Sequence, residues 1–338
     1  MTPGARRWLR AAVVRTLTVR SLMAAALMAN MLIATSALAQ DAGATHLVII
    51  TGVSGEARIG TEWHGMAMAL ATAATQRLGL PGSHVIVLAE DSTRDAARVH
   101  GRSTRATIER VLGGLARTLT VSDRLVVVML AHGSSLSGET RVNLPGPDMT
   151  PRDFARILAP ATTPAVAFVH TGSASGEFTT ALAGPRRIVI TATKSAREQN
   201  ETLFPGPFVR ALTTDVADTD KDGRVSLLEA FTYAQHEVEQ VFTAGNLIAT
   251  EHGLLADGAD GGRARTFFIG APRAGSAPDV ATGAALIARA EVQAQIDALR
   301  ARRSTMTEEA YLQALEPLIV DLAQRTRALR TASPVVKP

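Results

Sequence analysis

The feature that most constrains the fold is a series of five short apolar runs separated by longer stretches with helical periodicity. The runs are almost continuously apolar and do not alternate, which is typical of strands buried on both faces of a sheet. They are HLVIITG from His46, SHVIVLAE from Ser83, DRLVVVMLAHG from Asp123, PAVAFVHTG from Pro164 and RRIVITAT from Arg186. Strands that alternate with helices predict an α/β protein, a three-layer α/β/α sandwich with a mostly parallel sheet.

Three stretches between and after these runs predict helices. Residues 61–79 and 103–119 have apolar side chains at helical period, and Ser103 or Thr104 is the expected cap of the second helix. Residues 204–242 predict a helix, a polar loop and another helix. Because these helices alternate with the strands, they are expected on both faces of the predicted sheet.

Residues 1–39 have the organisation of a secretory signal peptide. Five arginines precede an apolar run from Leu22 to Ala34, and Ala37 and Ala39 are the small residues before a cut after Ala39. The run has only about 13 residues, whereas a membrane span needs about 20, so a cleaved leader is favoured over an anchor. We therefore expect a periplasmic or secreted protein without a membrane span after cleavage.

Charge and cysteine content narrow the function further. The formal net charge of the chain is +4, but removal of the leader leaves 30 basic against 31 acidic side chains, a charge of −1. Because the remainder has no basic stripe interleaved with aromatic residues, nucleic-acid binding is not expected. The chain contains no cysteine, so an exported fold must be stabilised by its core or by bound ions.

The C-terminal part predicts a separate helical element. A Gly-, Asp- and Pro-rich segment, residues 257–278, is the expected linker after a main domain of residues 40–256, and residues 332–338 form a tail. Residues 279–331 predict a helical hairpin that either packs on the core or mediates dimerisation. Its apolar stripe comprises Leu286, Ile296, Leu299, Leu315, Leu318, Ile319, Leu322 and Leu329.

Candidate catalytic residues follow the third and fourth apolar runs. His132 and Gly133 come directly after the third run, and Ser173 comes directly after the fourth. The carboxyl ends of parallel strands meet at one edge of the sheet, and consecutive strands are usually neighbours. We therefore expect His132 and Ser173 to face each other as base and nucleophile, with the Gly133 amide as an oxyanion donor.

This order of motifs resembles the caspase-like clan of cysteine peptidases, in particular its legumain branch, which also contains the glycosylphosphatidylinositol transamidase subunit. The resemblance covers roughly residues 46–242. In that family the dyad is a His in a His-Gly pair and a Cys in an Ala-Cys-X-Ser-Gly setting. His132 and Gly133 match the first motif, and alignment of Ser175 with the family's Ser-Gly puts Ser173 at the cysteine position. The resemblance implies a caspase-like fold and a peptidase-type site.

The serine at position 173 changes the expected chemistry. A thiol becomes a thiolate readily beside a histidine, but a hydroxyl must be deprotonated during attack by a histidine that a third group orients. The acidic candidates for that group are Asp148, Glu139 and Glu177. We expect an inactive homologue that binds a peptide or protein; the alternative is an active peptidase or esterase that uses Ser173 and His132.

Residues 218–229, DTDKDGRVSLLE, match the spacing of an EF-hand-like calcium loop. Oxygen ligands at this spacing surround a Ca²⁺ ion, and the glycine permits the sharp turn. The alternative is a solvated acidic loop in which Ser226 caps the following helix. The expected metal-binding residues are Asp218, Asp220, Asp222, Arg224 through its carbonyl, Ser226 and Glu229, with Gly223 at the turn.

Overall fold

The computed structural model describes residues 43–136, 139–161, 165–257, 262–270 and 280–332. The predicted signal peptide lies outside the described residues, as do the predicted tail apart from residue 332 and parts of the predicted linker. The strands are β1 (Thr45–Thr51), β2 (Val85–Ala89), β3 (Gly101–Arg102), β4 (Arg124–Leu130), β5 (Gly133–Leu136), β6 (Glu139–Val142), β7 (Ala165–His170), β8 (Arg187–Thr191) and β9 (Leu254–Ala256). All five predicted strands are confirmed, as β1, β2, β4, β7 and β8.

Seven strands of the described chain form one sheet in the order β3-β2-β1-β4-β7-β8-β9. All pairs are parallel except β8 with β9, so the sheet is mostly parallel, as predicted. Strand β1 pairs with β2 on one side and with β4 on the other, which makes the carboxyl ends of β1 and β4 a topological switch point. Strands β4 and β7 are neighbours, with Met129 opposite His170.

The helices of the described residues are α1 (Ala57–Gln76), α2 (Arg105–Thr118), α3 (Pro151–Leu158), α4 (Phe178–Ala181), α5 (Pro205–Thr213), α6 (Leu227–Ala244), α7 (Arg263–Thr266), α8 (Val280–Ala301) and α9 (Glu308–Ala332). The first two predicted helices and the helix-loop-helix of residues 204–242 are confirmed. Of the two candidate caps, Thr104 accepts the Thr107 N–H at 3.4 Å, whereas Ser103 donates to the Thr51 carbonyl at 2.6 Å.

Helices cover both faces of the sheet because successive residues of a strand point to opposite sides. On one face, Leu47 and Ile49 of β1 pack in a core with Phe208 of α5 and Phe231 of α6. The other face carries a second core, in which Val48 and Ile50 of β1 join side chains of α2, α3 and α4. The architecture is therefore a helix layer, a sheet and a second helix layer.

A two-stranded antiparallel sheet, β5 with β6, leaves the main sheet directly after His132. It was not predicted, because its strands are short and carry polar residues on both sides of each apolar one. Its return strand is anchored beside β4, since the Asn143 N–H donates to the His132 carbonyl at 3.0 Å. This small sheet therefore fixes the backbone directly after His132, from Gly133 onward.

Residues 262–270 fall within the predicted linker but pack on the main domain. Ala264, Phe267 and Ile269 are buried in the first core, and the Phe267 carbonyl accepts the Leu227 N–H at 3.0 Å. The acidic and glycine-rich flanks of this segment obscured its apolar residues in the sequence. These bonds place the segment directly beside the start of α6.

The C-terminal part of the described chain consists of α8 and α9, which contact each other through an Arg289–Thr326 hydrogen bond of 3.3 Å. Within the predicted apolar stripe Ile296 is buried, Leu299, Leu315, Leu318 and Leu322 are half-buried and Ile319 is exposed, while the side chains of Leu286 and Leu329 lie outside the described part. Pro317 lies inside α9 without ending it. In the residues that the structure describes, no helix has the length and apolar character needed to cross a membrane.

Candidate functional site

His132 and Ser173 follow the neighbouring strands β4 and β7, as the sequence predicts. Beyond the last strand pair the two chains stay together, because the N–H and the hydroxyl of Thr171 both donate to the Met129 carbonyl, at 3.0 and 2.8 Å. The segments that follow β4 and β7 therefore lie side by side at the carboxyl edge of the sheet. The crevice in which open α/β sheets hold their ligands lies at the same edge, at the switch point between β1 and β4.

Two glycines allow these segments to touch. A Cβ atom on Gly172 would overlap the carbonyl oxygen of Ala131, and a Cβ atom on Gly133 would overlap the carbonyl oxygen of Ser173. Both conflicts are with backbone atoms, which cannot rotate away as a flexible side chain can. Glycine is therefore required at both positions by close backbone approach.

The Ser173 hydroxyl is bonded to the backbone of Gly133. Its Oγ donates to the Gly133 carbonyl at 2.8 Å and accepts the Gly133 N–H at 3.3 Å, and the residue is 2% exposed. A hydroxyl has one proton to donate. In this arrangement the hydroxyl proton of Ser173 is directed to the Gly133 carbonyl oxygen. The Gly133 N–H, which the sequence predicts as the oxyanion donor, is directed to Ser173 Oγ.

The His132 ring packs against Trp63, with ring centroids 4.7 Å apart and a tilt of 58°. Among the described residues no side-chain hydrogen bond involves the His132 ring. The three candidate acids are engaged elsewhere: Asp148 accepts the Leu144 N–H at 3.0 Å, Glu139 pairs with Arg141 at 2.7 Å, and Glu177 accepts the Thr140 hydroxyl at 2.7 Å. The structure thus brings Ser173 beside Gly133 without a third group on His132.

The loop after Ser173 is held in an unusual conformation. Ala174 has φ +50° and is fully buried, in the left-handed region that costs a residue with a Cβ about 1–2 kcal/mol. Its N–H donates to the Glu198 carbonyl at 2.7 Å, and the Ser175 N–H donates to the Thr193 hydroxyl at 2.7 Å. These bonds fix the loop against the segment that follows β8.

His170, the last residue of β7, is hydrogen-bonded to the start of the Ser173 loop. Its ring is fully buried, its Nδ1 accepts the Gly172 N–H at 3.1 Å, and it lies edge-on to Phe178. Burial, with a contribution from the nearby His132, lowers the pKa of His170 to about 3, so the ring is neutral at physiological pH. His170 is therefore a buried histidine whose Nδ1 is hydrogen-bonded to the backbone of the loop.

A second buried ionisable group, Glu251, supports the start of α5. Its two carboxylate oxygens accept the N–H groups of Leu203 and Phe204 at 2.8 and 3.0 Å. Burial raises the pKa of Glu251 to about 7, although these hydrogen bonds act in the opposite direction. Nothing in the sequence motifs marked this residue.

An open cleft of about 320 Å³ lies beside Trp63, at the carboxyl ends of β1 and β2. Its walls include Ser54, His64, Glu90 and Arg94, and the Ser54 N–H and hydroxyl both donate to Glu90, at 3.1 and 2.8 Å. Sequence reasoning missed this cleft, because its walls come from a loop and a helix face rather than from one motif. Trp63 contributes to the cleft and also contacts His132, so the cleft adjoins the dyad.

The acidic loop, residues 218–229, brings three aspartates together. Carboxylate oxygens of Asp218, Asp220 and Asp222 lie within 4.8 Å of one another, and Lys221 and Gly223 adopt left-handed backbone conformations with φ +60° and +80°. Asp218 is 5% exposed; its Oδ2 accepts the Gly223 N–H at 3.1 Å. The buried Oδ1 of Asp218 has no hydrogen-bond partner within the described chain.

The environment of Asp218 and Asp222 disfavours their charged forms. Burial, together with the neighbouring carboxylates, raises the pKa of Asp218 to about 6, although its bond from Gly223 acts in the opposite direction. Burial also raises the pKa of Asp222. Both carboxylates therefore pay a cost for being charged in this buried position.

Ser226 and Glu229 begin α6 as a reciprocal capping box. Ser226 Oγ accepts the Glu229 N–H at 3.2 Å, and Glu229 Oε2 accepts the Ser226 N–H at 2.9 Å. The other oxygen of Glu229 accepts the N–H and the hydroxyl of Thr219, at 3.0 and 2.9 Å. In this structure Ser226 has the capping role that the sequence offered as the alternative, and Glu229 completes the capping box. Glu229 is not part of the aspartate cluster.

Two arginines neutralise part of the cluster. Arg289 of α8 donates from Nη1 to Asp220 Oδ2 at 2.7 Å, and its side chain is 18% exposed. Arg224, within the loop, lies 3.6 Å from Asp222 and stacks over the Phe268 ring at 3.7 Å. Arg289 is 69 residues away from Asp220 in the chain, so no sequence motif indicates this pair.

Fold and site together define an α/β protein with a mostly parallel sheet and a polar site at the carboxyl edge of that sheet. No model of a known protein family matches the chain, and a search of curated proteins found no match. The function is therefore inferred from the geometry of the site.

Proposed function

We propose that the chain is an exported, legumain-like peptidase homologue that no longer catalyses hydrolysis and uses its cleft to bind a peptide or protein segment. The observation that carries this proposal is the pairing of the Ser173 hydroxyl with Gly133 instead of His132. The leader composition of residues 1–39 supports export to the periplasm or the exterior.

The chemistry of a serine nucleophile supports loss of activity. Attack requires a histidine that takes the hydroxyl proton and is held by a third group, and it requires a donor for the oxyanion. Here the proton of Ser173 is directed to the Gly133 carbonyl and the Gly133 N–H to Ser173 Oγ. None of the three candidate acids hydrogen-bonds to His132 in the described chain.

The finer fold assignment is part of the same proposal. The His-Gly pair follows β4 and the Ser173 loop follows the adjacent β7, in a mostly parallel sheet, which supports a caspase-like identity. We further propose that α8 and α9 form a helical hairpin. Its exposed Leu312 and Val320, with Ile319 between them along the helix, support dimerisation through this element.

The cleft beside Trp63 supports a peptide or protein ligand. It combines an aromatic wall with acidic and basic side chains, and its volume is in the range of ordinary ligand pockets. Trp63 is the single tryptophan after residue 39, so its fluorescence reports on this cleft. In a titration with a peptide library, we expect binding that quenches Trp63 and that Glu90→Gln weakens.

Glu109→Gln is the matched control for this titration. Glu109 is a half-buried carboxylate on α2, where it pairs with Arg156 at 2.8 Å, on the other face of the sheet. It should leave peptide binding unchanged. Absence of any peptide or protein ligand, or equal weakening by both variants, would contradict binding in the cleft.

A second candidate function is a serine hydrolase, peptidase or esterase, with Ser173 as nucleophile and His132 as base. The observation that favours it is the left-handed backbone of the buried Ala174 directly after Ser173, since strained backbone is concentrated at functional sites. Catalytic hydrogen bonds can also form only when substrate binds. A serine-directed covalent probe discriminates between the two functions.

A further inference from the structure

We propose that the acidic loop is a Ca²⁺ site and that Arg289 of α8 competes with the ion for Asp220, so that Ca²⁺ binding loosens the attachment of α8 to the loop. The inference concerns a region separate from the cleft and is independent of whether Ser173 reacts.

The ligand atoms are already grouped. Oxygens of Asp218, Asp220 and Asp222 lie within 4.8 Å of one another, which is close enough for one ion to contact all three. Carboxylate oxygens without nitrogen or sulfur ligands are typical of sites for hard cations such as Ca²⁺. Gly223, with φ +80°, takes the left-handed conformation that the sharp turn after the third aspartate requires.

The buried oxygen of Asp218 points to a missing partner. Asp218 is 5% exposed, and its Oδ1 is buried without a hydrogen-bond partner within the described chain. A buried carboxylate oxygen without a donor or a cation is costly. A cation bound by the three aspartates would remove this cost, whereas a purely structural acidic loop leaves it unexplained.

The structure also revises the ligand set that the sequence predicts. Glu229 uses both oxygens for Ser226 and Thr219, and Ser226 caps α6. The three aspartates therefore hold the ion, and water or backbone carbonyls complete its coordination. So small a protein ligand set is consistent with dissociation constants of about 10⁻⁴–10⁻³ M, the range of extracellular calcium modules.

Arg289 supplies positive charge to the same cluster. Its guanidinium lies 2.7 Å from Asp220 Oδ2 and is also bonded to Thr326 of α9 at 3.3 Å, so it joins both C-terminal helices to the loop. A Ca²⁺ ion bound to Asp220 neutralises part of the carboxylate's charge and so weakens the Arg289–Asp220 ion pair. The ion and the guanidinium also repel each other, because both are cations beside one carboxylate. By linkage, Arg289 weakens Ca²⁺ binding by the same factor by which Ca²⁺ weakens the attachment.

The experiment is calorimetric titration of the chain from residue 40 with CaCl₂, for wild type, Arg289→Gln, Arg289→Lys, Arg302→Gln and Asp218→Asn. We expect Arg289→Gln to bind Ca²⁺ about 10-fold more tightly than wild type, as typical coupling between sites allows. Arg289→Lys keeps the positive charge, so its affinity for Ca²⁺ should lie between those of wild type and Arg289→Gln. Arg302 is exposed just after α8, so Arg302→Gln should match wild type, and Asp218→Asn should not bind.

Hydrogen exchange of residues 280–332 is the second readout. Ca²⁺ should accelerate exchange there in wild type, while Arg289→Gln should exchange fast with or without the ion. No Ca²⁺ binding in wild type or Arg289→Gln would overturn the site itself. Binding that is equal in these two proteins, or weaker in Arg289→Gln, would overturn the competition while leaving the ion site and the cleft proposal in place.

Discussion

The Ser173 hydroxyl donates to the carbonyl oxygen of Gly133 at 2.8 Å and accepts the N–H of the same residue at 3.3 Å. This reciprocal pair connects the segments after β4 and β7 at the point where a nucleophile and an oxyanion donor would act. The two hydrogen bonds join the backbone of Gly133 to the side chain of Ser173 at the carboxyl edge of the sheet.

Ser173→Cys should create a reactive nucleophile, because a thiol bonds weakly to a peptide carbonyl and a nearby histidine favours the thiolate. The chain has no other cysteine, so alkylation by iodoacetamide reports on this thiol alone. We expect an apparent thiol pKa below the usual value of about 8.5, and a return toward it in Ser173→Cys with His132→Ala.

Ser175→Cys is the matched control, since Ser175 lies in the same loop, is fully buried and bonds to Thr193. The thiol of this variant should be alkylated slowly at every pH. If the thiol of Ser173→Cys reacts no faster than that of Ser175→Cys, with or without His132, the dyad arrangement is wrong.

Gly133→Ala should destabilise the protein by about 3 kcal/mol, because its new methyl group would overlap the Ser173 carbonyl and neither backbone can move freely. Gly114→Ala is the control: Gly114 lies in α2, no atom lies within 4 Å of the position that its methyl group would take, and alanine there should stabilise by about 0.5–1 kcal/mol. Urea unfolding measures both. An unchanged Gly133→Ala midpoint would contradict the close approach.

His170 should make the protein acid-sensitive. Burial lowers its pKa to about 3, against 6.5 in the unfolded chain, so the unfolded state binds more protons between these values. The contribution of His170 to stability is complete above pH 6.5 and declines by up to about 1.4 kcal/mol per pH unit as the pH falls toward 3. His170→Gln, which keeps an acceptor for the Gly172 N–H, should lose this component in urea unfolding.

Glu251 also titrates between these pH values, so the pH dependence of stability must be compared between variants and wild type. The raised pKa of Glu251, about 7, acts in the opposite sense and removes stability as the pH rises from about 4.5 to 7. Exposed His236 on α6 provides the control, and His236→Gln should keep the wild-type pH dependence. If His170→Gln and wild type change equally between about pH 7.5 and 5, burial of a neutral His170 is wrong.

Removal of metal should lower the stability of wild type but not that of Asp218→Asn. At a Ca²⁺ concentration about ten times its dissociation constant, binding stabilises the folded state by about 1.4 kcal/mol. Thermal unfolding in CaCl₂ and in EDTA measures the difference. Asp321→Asn is the control: Asp321 is a half-buried carboxylate on α9 that pairs with Arg325 at 2.8 Å, and the variant should respond to Ca²⁺ as wild type does. A Ca²⁺ response retained in Asp218→Asn would contradict the ligand set.

The sequence predicted the elements whose residues carry their own signal. Near-continuous apolar runs indicated the five long strands, because strands buried on both faces must be apolar throughout. The short sheet of β5 and β6 was missed, since residues such as Ser134 and Ser135 have no strand periodicity. The apolar Phe267 and Ile269 were missed because they lie between glycine-rich segments.

The features of the two sites that the sequence did not predict depend on contacts between residues far apart in the chain. The order of strands indicated that His132 and Ser173 lie on adjacent strand ends, but the direction of the Ser173 hydroxyl depends on a backbone approach across 40 residues. The ion pair of Arg289 with Asp220 spans 69 residues and belongs to no motif. Local spacing found the aspartates; only tertiary packing showed what neutralises them.

The most direct test of whether Ser173 is unreactive is labelling of the purified chain with a fluorophosphonate probe. Mass spectrometry of the peptide that contains Ser173 then measures the labelling. A hydroxyl committed to Gly133, beside a histidine without an orienting acid, should give wild-type labelling no greater than that of Ser173→Ala. Labelling of Ser173 in wild type that disappears in His132→Ala would contradict a silent dyad and establish the serine hydrolase instead.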